Sequence, residues 1–139
     1  MTRRPAREGP VASATQSARM LFIITGALTA SAAAGFLAPR PLLRVLFGMS
    51  GEDAATLVLA RHWSLLVGLV GVLLIFAGLH PEMRVPIAIV GAAEKFALAA
   101  LVFGGPLRTR PALVAVTGAD TVMALLYVFF LSRNWPSGL

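Results

Sequence analysis

The sequence predicts an all-α protein: an integral membrane four-helix bundle with a short interfacial helix between spans one and two. Three observations carry that expectation. The chain is 58% hydrophobic and only 13% charged, whereas a soluble domain is about half apolar and about a quarter charged. Its mean hydropathy is +0.82. Four stretches, 20–38, 57–79, 85–103 and 111–131, are nearly free of charge and long enough to cross ~30 Å of hydrocarbon.

Charge and composition narrow the classes further. Twelve Arg and Lys against six acids give a formal net charge of +6, but the arginines sit at span ends, where basic residues meet lipid headgroups. A nucleic-acid surface needs a basic face interleaved with aromatics or a known motif, and neither is present, so no nucleic-acid partner is expected. With no cysteine, disulfides, thiolate metal sites and cysteine nucleophiles are excluded. Only two histidines occur, His62 and His80, in different segments, so neither a metal centre nor a cofactor is expected.

At 139 residues the length suits one domain. Residues 1–18 are small and polar, with Arg3, Arg4, Arg7, Pro5 and Pro10, and are expected to form a disordered basic tail. The membrane domain covers 19–135. Span one follows Arg19; Ala30-Ser31-Ala32 within it resembles a signal-peptidase site, but the long apolar run and the three later spans favour an uncleaved helix. Pro39-Arg40-Pro41 ends it, because proline lacks the amide donor and restricts its predecessor. Leu42 to Phe47 with Arg40 and Arg44 makes a short amphipathic piece suited to the headgroup plane.

Gly48 to Gly51 then breaks the chain, and Ser50 followed by Glu52 and Asp53 reads as the start of the next helix. That helix is longer than the bilayer needs. Its first turns are placed in the interface, with Arg61, His62 and Trp63 near the hydrocarbon edge. His80-Pro81-Glu82-Met83-Arg84 is a tight connection that makes spans two and three antiparallel neighbours. Span three ends at Gly104-Gly105-Pro106. Pro111 opens span four, which ends near Arg133 and Trp135.

Small residues mark one face of each span: Gly26, Ala30, Ala33 and Ala34; Gly68 and Gly71; Gly91, Ala92, Ala99 and Ala100. In lipid such faces let backbones approach and pack. Arg3, Arg4, Arg7, Arg19, Arg84 and Arg133 fall on one side of the membrane, with Arg40, Arg44, Arg61, Arg108 and Arg110 on the other. The N-terminal cluster tips both termini to the cytoplasmic side of an inner membrane.

The candidate site comes from charges inside the spans. Glu94 lies ten residues after Arg84, and Asp120 nine after Pro111, so both stand ~14 Å deep from opposite ends. Antiparallel spans bring these carboxyls to one midplane level. A midplane charge costs at least ~2.5 kcal/mol, which turns such groups inward. Lys95 points about 100° away from Glu94, so Lys95 is expected to meet Asp120, leaving Glu94 for Arg61. Thr117 and Thr121 flank Asp120 and have hydroxyls to donate. The candidate cluster is therefore Arg61, His62, Glu94, Lys95, Thr117, Asp120 and Thr121.

Three uses of that cluster stay open: a neutral ion network that fixes helix order, a polar pocket for a ligand's head or a proton, and a contact with a partner that supplies counter-charge. The partners expected are the lipid bilayer, a membrane-protein partner or second copy, and a lipid-soluble small molecule. Intramembrane acids with a histidine also suit isomerase-like chemistry. No nucleophile–base pair, phosphate loop or metal spacing accompanies them, so the reading leans away from an enzyme and assigns no catalytic residue. A non-catalytic subunit or accessory factor comes first, an oligomeric proton-coupled carrier second and an intramembrane isomerase third.

A family pattern adds to this. Phe36-Leu37-Ala38-Pro39 and Leu42-Leu43 close the first span and precede a break; Ala60-Arg61-His62-Trp63 then leads into a glycine-rich span and the Pro81-Glu82-Met83-Arg84 turn. Between Met20 and Arg133 the chain resembles the broad DoxX-like group of small bacterial four-helix membrane proteins, many of unknown function. The resemblance implies the four-helix fold and accessory roles in respiratory or redox membrane complexes. It brings no catalytic residues.

Overall fold

The computed structural model describes residues 10–135, with side chains from Thr15 onward. Among the described residues there is no strand. Helix α1 (Pro10–Ala30) passes through a tighter 3-10 turn, Ser31–Ala33, into α2 (Ala34–Leu37). The tail expected to lack structure over 1–18 is thus helical from Pro10; residues 1–9 lie outside the described residues. Gln16 and Ala18 are good helix formers, and extending an existing helix is far easier than nucleating one.

Ala38 leaves the helical region at φ −126°, ψ 66°, as the residue before Pro39 is driven to do. Helix α3 (Pro39–Leu42) and a wider π turn, Leu43–Phe47, follow. Leu43 is buried while Arg40 and Arg44 are exposed, so the expected amphipathic segment is present. It is fastened to the next span by Phe47, whose ring meets Trp63 edge-on at 6.0 Å.

Helix α4 (Ala54–Leu79) starts at Asp53 and not at Ser50. Thr56 donates its backbone N–H to Asp53 Oδ1 at 2.7 Å, the usual capping bond. Gly51 explains the shift: its φ of +65° is open to glycine at little cost and breaks the helical path between Ser50 and Asp53. The Asp53 carboxyl is held below its ordinary pKa, first by the side-chain hydrogen bond of Thr56 and then by the Thr56 backbone N–H.

After a 3-10 turn, Pro81–Met83, the chain returns as α5 (Arg84–Phe103), and a second such turn, Pro106–Thr109, leads to α6 (Pro111–Asn134). Four segments, Thr15–Leu37, Ala54–Leu79, Pro81–Phe103 and Pro111–Asn134, are long and apolar enough to cross a membrane. Their apolar windows are only 22–39% buried inside the protein. Leu28, Val58, Leu101 and Phe129 are among the large apolar side chains left outside, as suits a multi-pass protein whose outer solvent is lipid.

The spans pack as two consecutive pairs, α1 along α4 and α5 along α6. Backbone contact makes the first seam. A Cβ on Gly26 would stand 2.7 Å from Ile75 N, and one on Gly71 would collide with the main chain of Ala30. The small residues read from the sequence therefore do bring backbones together. Phe22, Leu74, Ala88 and Tyr127, one from each long helix, lie in a single fully buried cluster that joins the pairs.

Candidate functional site

The second pair is joined by charge. Lys95 is completely buried, and its Nζ donates to Asp120 Oδ1 at 2.6 Å. Glu94 Oε2 lies 3.6 Å from the same nitrogen. The carboxylate side chains are 22% exposed for Glu94 and 13% for Asp120, so Lys95 forms the closed end and Glu94 the more open one. Counting depth from opposite ends of α5 and α6 placed these groups at one level, and a single ammonium now touches both.

The local reason is helical geometry. Gly91, Ala92 and Lys95 are buried on one face of α5, which turns Lys95 towards α6. Glu94, one residue earlier, is rotated off that face. On α6, Leu113, Thr117 and Ala124 are buried; Asp120, at three to four residues from Thr117 and Ala124, shares their side of the helix.

Other expected members take different places. Arg61 is exposed and lines a small cleft with Leu37, Pro39, Arg40 and Leu57; it makes no ion pair with Glu94 among the described residues. Ala60 and Ser64 are on the buried face of α4, so the neighbouring Arg61 turns away. Depth separates them as well. Leu74 lies against Gly91, and counting along antiparallel α4 and α5 from there leaves Arg61 ~15 Å from the level of Glu94. His62 is also exposed and takes no part.

The threonines do not reach Asp120 either. Thr121 donates its hydroxyl to the backbone oxygen of Thr117 at 2.8 Å, the bond to the preceding turn that threonine commonly makes in helices. Thr117 is fully buried, and its hydroxyl has no hydrogen-bond partner among the described residues. Glu94 Oε2 is likewise buried and without one. With Arg61 absent, the expected balance of two acids and two bases becomes one base between two acids.

Two polar features lie outside the expected cluster. Tyr127, fully buried, donates its hydroxyl to Thr25 Oγ1 at 2.6 Å, and Thr25 passes a hydrogen bond to Leu21 O at 2.7 Å. This ties α6 to α1. Arg84, expected only as a flanking charge, is 6% exposed and donates to Ala77 O at 3.1 Å and Gly78 O at 3.0 Å. It thereby satisfies carbonyls left open at the end of α4. A lone hydroxyl-bearing aromatic in an apolar span was the available signal for Tyr127. An arginine following a helix-ending turn was the one for Arg84.

Fold and site together define a class: a small all-α membrane bundle with an ion cluster set between two of its spans. No family model matches the chain, and no curated protein or solved structure matches it.

Proposed function

We propose that the chain is a non-catalytic subunit or accessory factor of a bacterial inner membrane, with both termini cytoplasmic, and that the opening at Glu94 receives the polar group of a lipid-soluble small molecule. The DoxX-like resemblance points to the same setting, accessory roles in respiratory or redox membrane complexes. One observation carries the binding part. Lys95 serves two carboxylates, and Glu94 Oε2 is buried without a hydrogen-bond partner. The Lys95 contact at 3.6 Å is longer than a hydrogen bond. A carboxylate oxygen without one at midplane depth is expensive, and a hydroxyl or cationic group from outside the chain would supply it. The Thr117 hydroxyl, also unpartnered, is a further polar group on the adjoining helix.

Native mass spectrometry of protein released from its own membrane lipids tests the reading. A bound small molecule that survives in wild type and disappears in Glu94→Gln supports it. Identical spectra, with no adduct in either protein, would sink it.

A second reading rests on the surplus acid itself: a site with one acid more than base can take up a proton, which an oligomeric proton-coupled carrier requires. Proton flux into liposomes that is abolished by Glu94→Gln would favour the carrier over the accessory factor.

A further inference from the structure

A cleft of about 820 Å³ opens between α1, α5 and α6 at the end of the bundle opposite Arg61. Its walls change character along its length. Leu21, Val85 and Phe130 are apolar, while Arg84, Arg133 and Asn134 supply the polar end. The three segments that meet there are the start of span one, the turn into span three and the end of span four. The polar end therefore stands where the chain leaves hydrocarbon for headgroups.

Among the described residues the charge at this end is unbalanced. Neither Arg84 nor Arg133 forms an ion pair among the described residues. Arg84 is held almost wholly inside by its bonds to Ala77 O and Gly78 O, and Arg133 rests over the Phe129 ring at 4.4 Å. The Arg19 main chain packs against Gly78, bringing a third arginine to the same level. Glu82 is the acid on this turn, and it lies 3.4 Å from His80 Nδ1.

We propose that this cleft is a binding site for an anionic phospholipid of the surrounding bilayer. The phosphodiester would sit between Arg84 and Arg133, and an acyl chain along Leu21, Val85 and Phe130. Arginine suits that task because its planar fork of N–H donors matches phosphate oxygens. Basic pockets between spans are a recurrent way of holding such headgroups. Arg84 is preorganised by its two carbonyl bonds, so little side-chain freedom is lost when the lipid arrives. This site is separate from the Lys95 cluster, and either can fail without the other.

The test uses the whole protein in nanodiscs of phosphatidylcholine mixed with phosphatidylglycerol, with retained lipids counted by native mass spectrometry. Wild type is expected to keep phosphatidylglycerol in preference to phosphatidylcholine. Arg133→Gln, which breaks no backbone cap and loses only the contact with the Phe129 ring, is expected to lower that preference about fivefold while the protein stays folded in neutral lipid. Arg84→Lys should also weaken retention, because the fork is lost with the charge kept. Equal retention of the two lipids by wild type would overturn the proposal, as would an unaltered preference in Arg133→Gln. A third arm adds inorganic phosphate to protein in neutral nanodiscs. Stabilisation equal to that given by phosphatidylglycerol would mean a free-anion site and would also overturn the assignment to lipid.

Discussion

Lys95 Nζ lies 2.6 Å from Asp120 Oδ1 but 3.6 Å from Glu94 Oε2, so one ammonium has a near and a far carboxylate. The near one belongs to the opposite helix and the far one to its own. This asymmetry separates structural work from the rest. Asp120→Asn removes the direct partner of a fully buried cation and is expected to cost ~3–5 kcal/mol. Glu94→Gln leaves the Lys95–Asp120 pair intact and is expected to hold or raise the melting temperature. Thermal melts of both single variants and the double one in mild detergent check this, and the double change should not be the sum of the two.

Tyr127→Phe deletes the donor that ties α6 to α1 while Thr25 keeps its bond to Leu21 O. Interhelical hydrogen bonds in membrane bundles average about 0.6 kcal/mol, and a loss near that size is expected. A double-mutant cycle with Thr25→Val isolates the pair. A coupling energy indistinguishable from zero would show that the 2.6 Å contact adds nothing to the packing around it.

Glycines separate seam from surface. Gly71→Ala would push a methyl group into the Ala30 main chain; such overpacking typically costs about 1–3 kcal/mol, and the α1–α4 contact should loosen. Gly118 on α6 has nothing within 4 Å of an added Cβ. There alanine should be neutral or stabilising, by up to ~1 kcal/mol. Comparing the two melts settles whether backbone contact or glycine content alone governs stability.

Asp53 gives a pH signature outside the membrane. Its carboxyl is held down by Thr56, so the folded state binds a proton less readily than the unfolded chain does. The cap's contribution is therefore complete above the ordinary carboxylate range and is lost as pH falls through that range and below it. The melting temperature should decline with acid more steeply in wild type than in Asp53→Asn. Asparagine keeps a capping oxygen without the titration. Asp53→Ala should lower the melt at neutral pH as well.

Much of this was legible in the chain. The spans could be read because charge-free runs of that length have few other uses, and the meeting of Lys95 with Asp120 followed from counting rise along two antiparallel helices. Arg61 could not be read the same way. Its level is ~15 Å from that of Glu94, which shows only once Leu74 is set against Gly91, and its direction depended on which face of α4 the Gly68 and Gly71 seam would claim. Ser50 was the expected cap, with Glu52 and Asp53 as acids of the first turn, and the left-handed turn at Gly51 moves the cap to Asp53. The hydroxyls of Thr117 and Thr121 were available to Asp120 by position, yet the Thr121 hydroxyl was taken by the backbone of the turn before it. Arg84 as a cap for α4 required knowing that Ala77 and Gly78 would end within its reach.

The spacing of the ion cluster also bears on how the chain is made. Span three arrives at the ribosomal exit carrying Glu94 and Lys95, and the aspartate that completes the pair follows 25 residues later. Until α6 emerges, Lys95 has only Glu94 of its own helix, at 3.6 Å, and a lysine at the centre of a span without its near carboxylate opposes release into lipid. The glycine-seamed α1 and α4 carry no such debt and can leave the insertion machinery first. The third and fourth spans are thus expected to enter together as one hairpin, with Asp120 setting the moment at which the latter half of the protein commits to the bilayer.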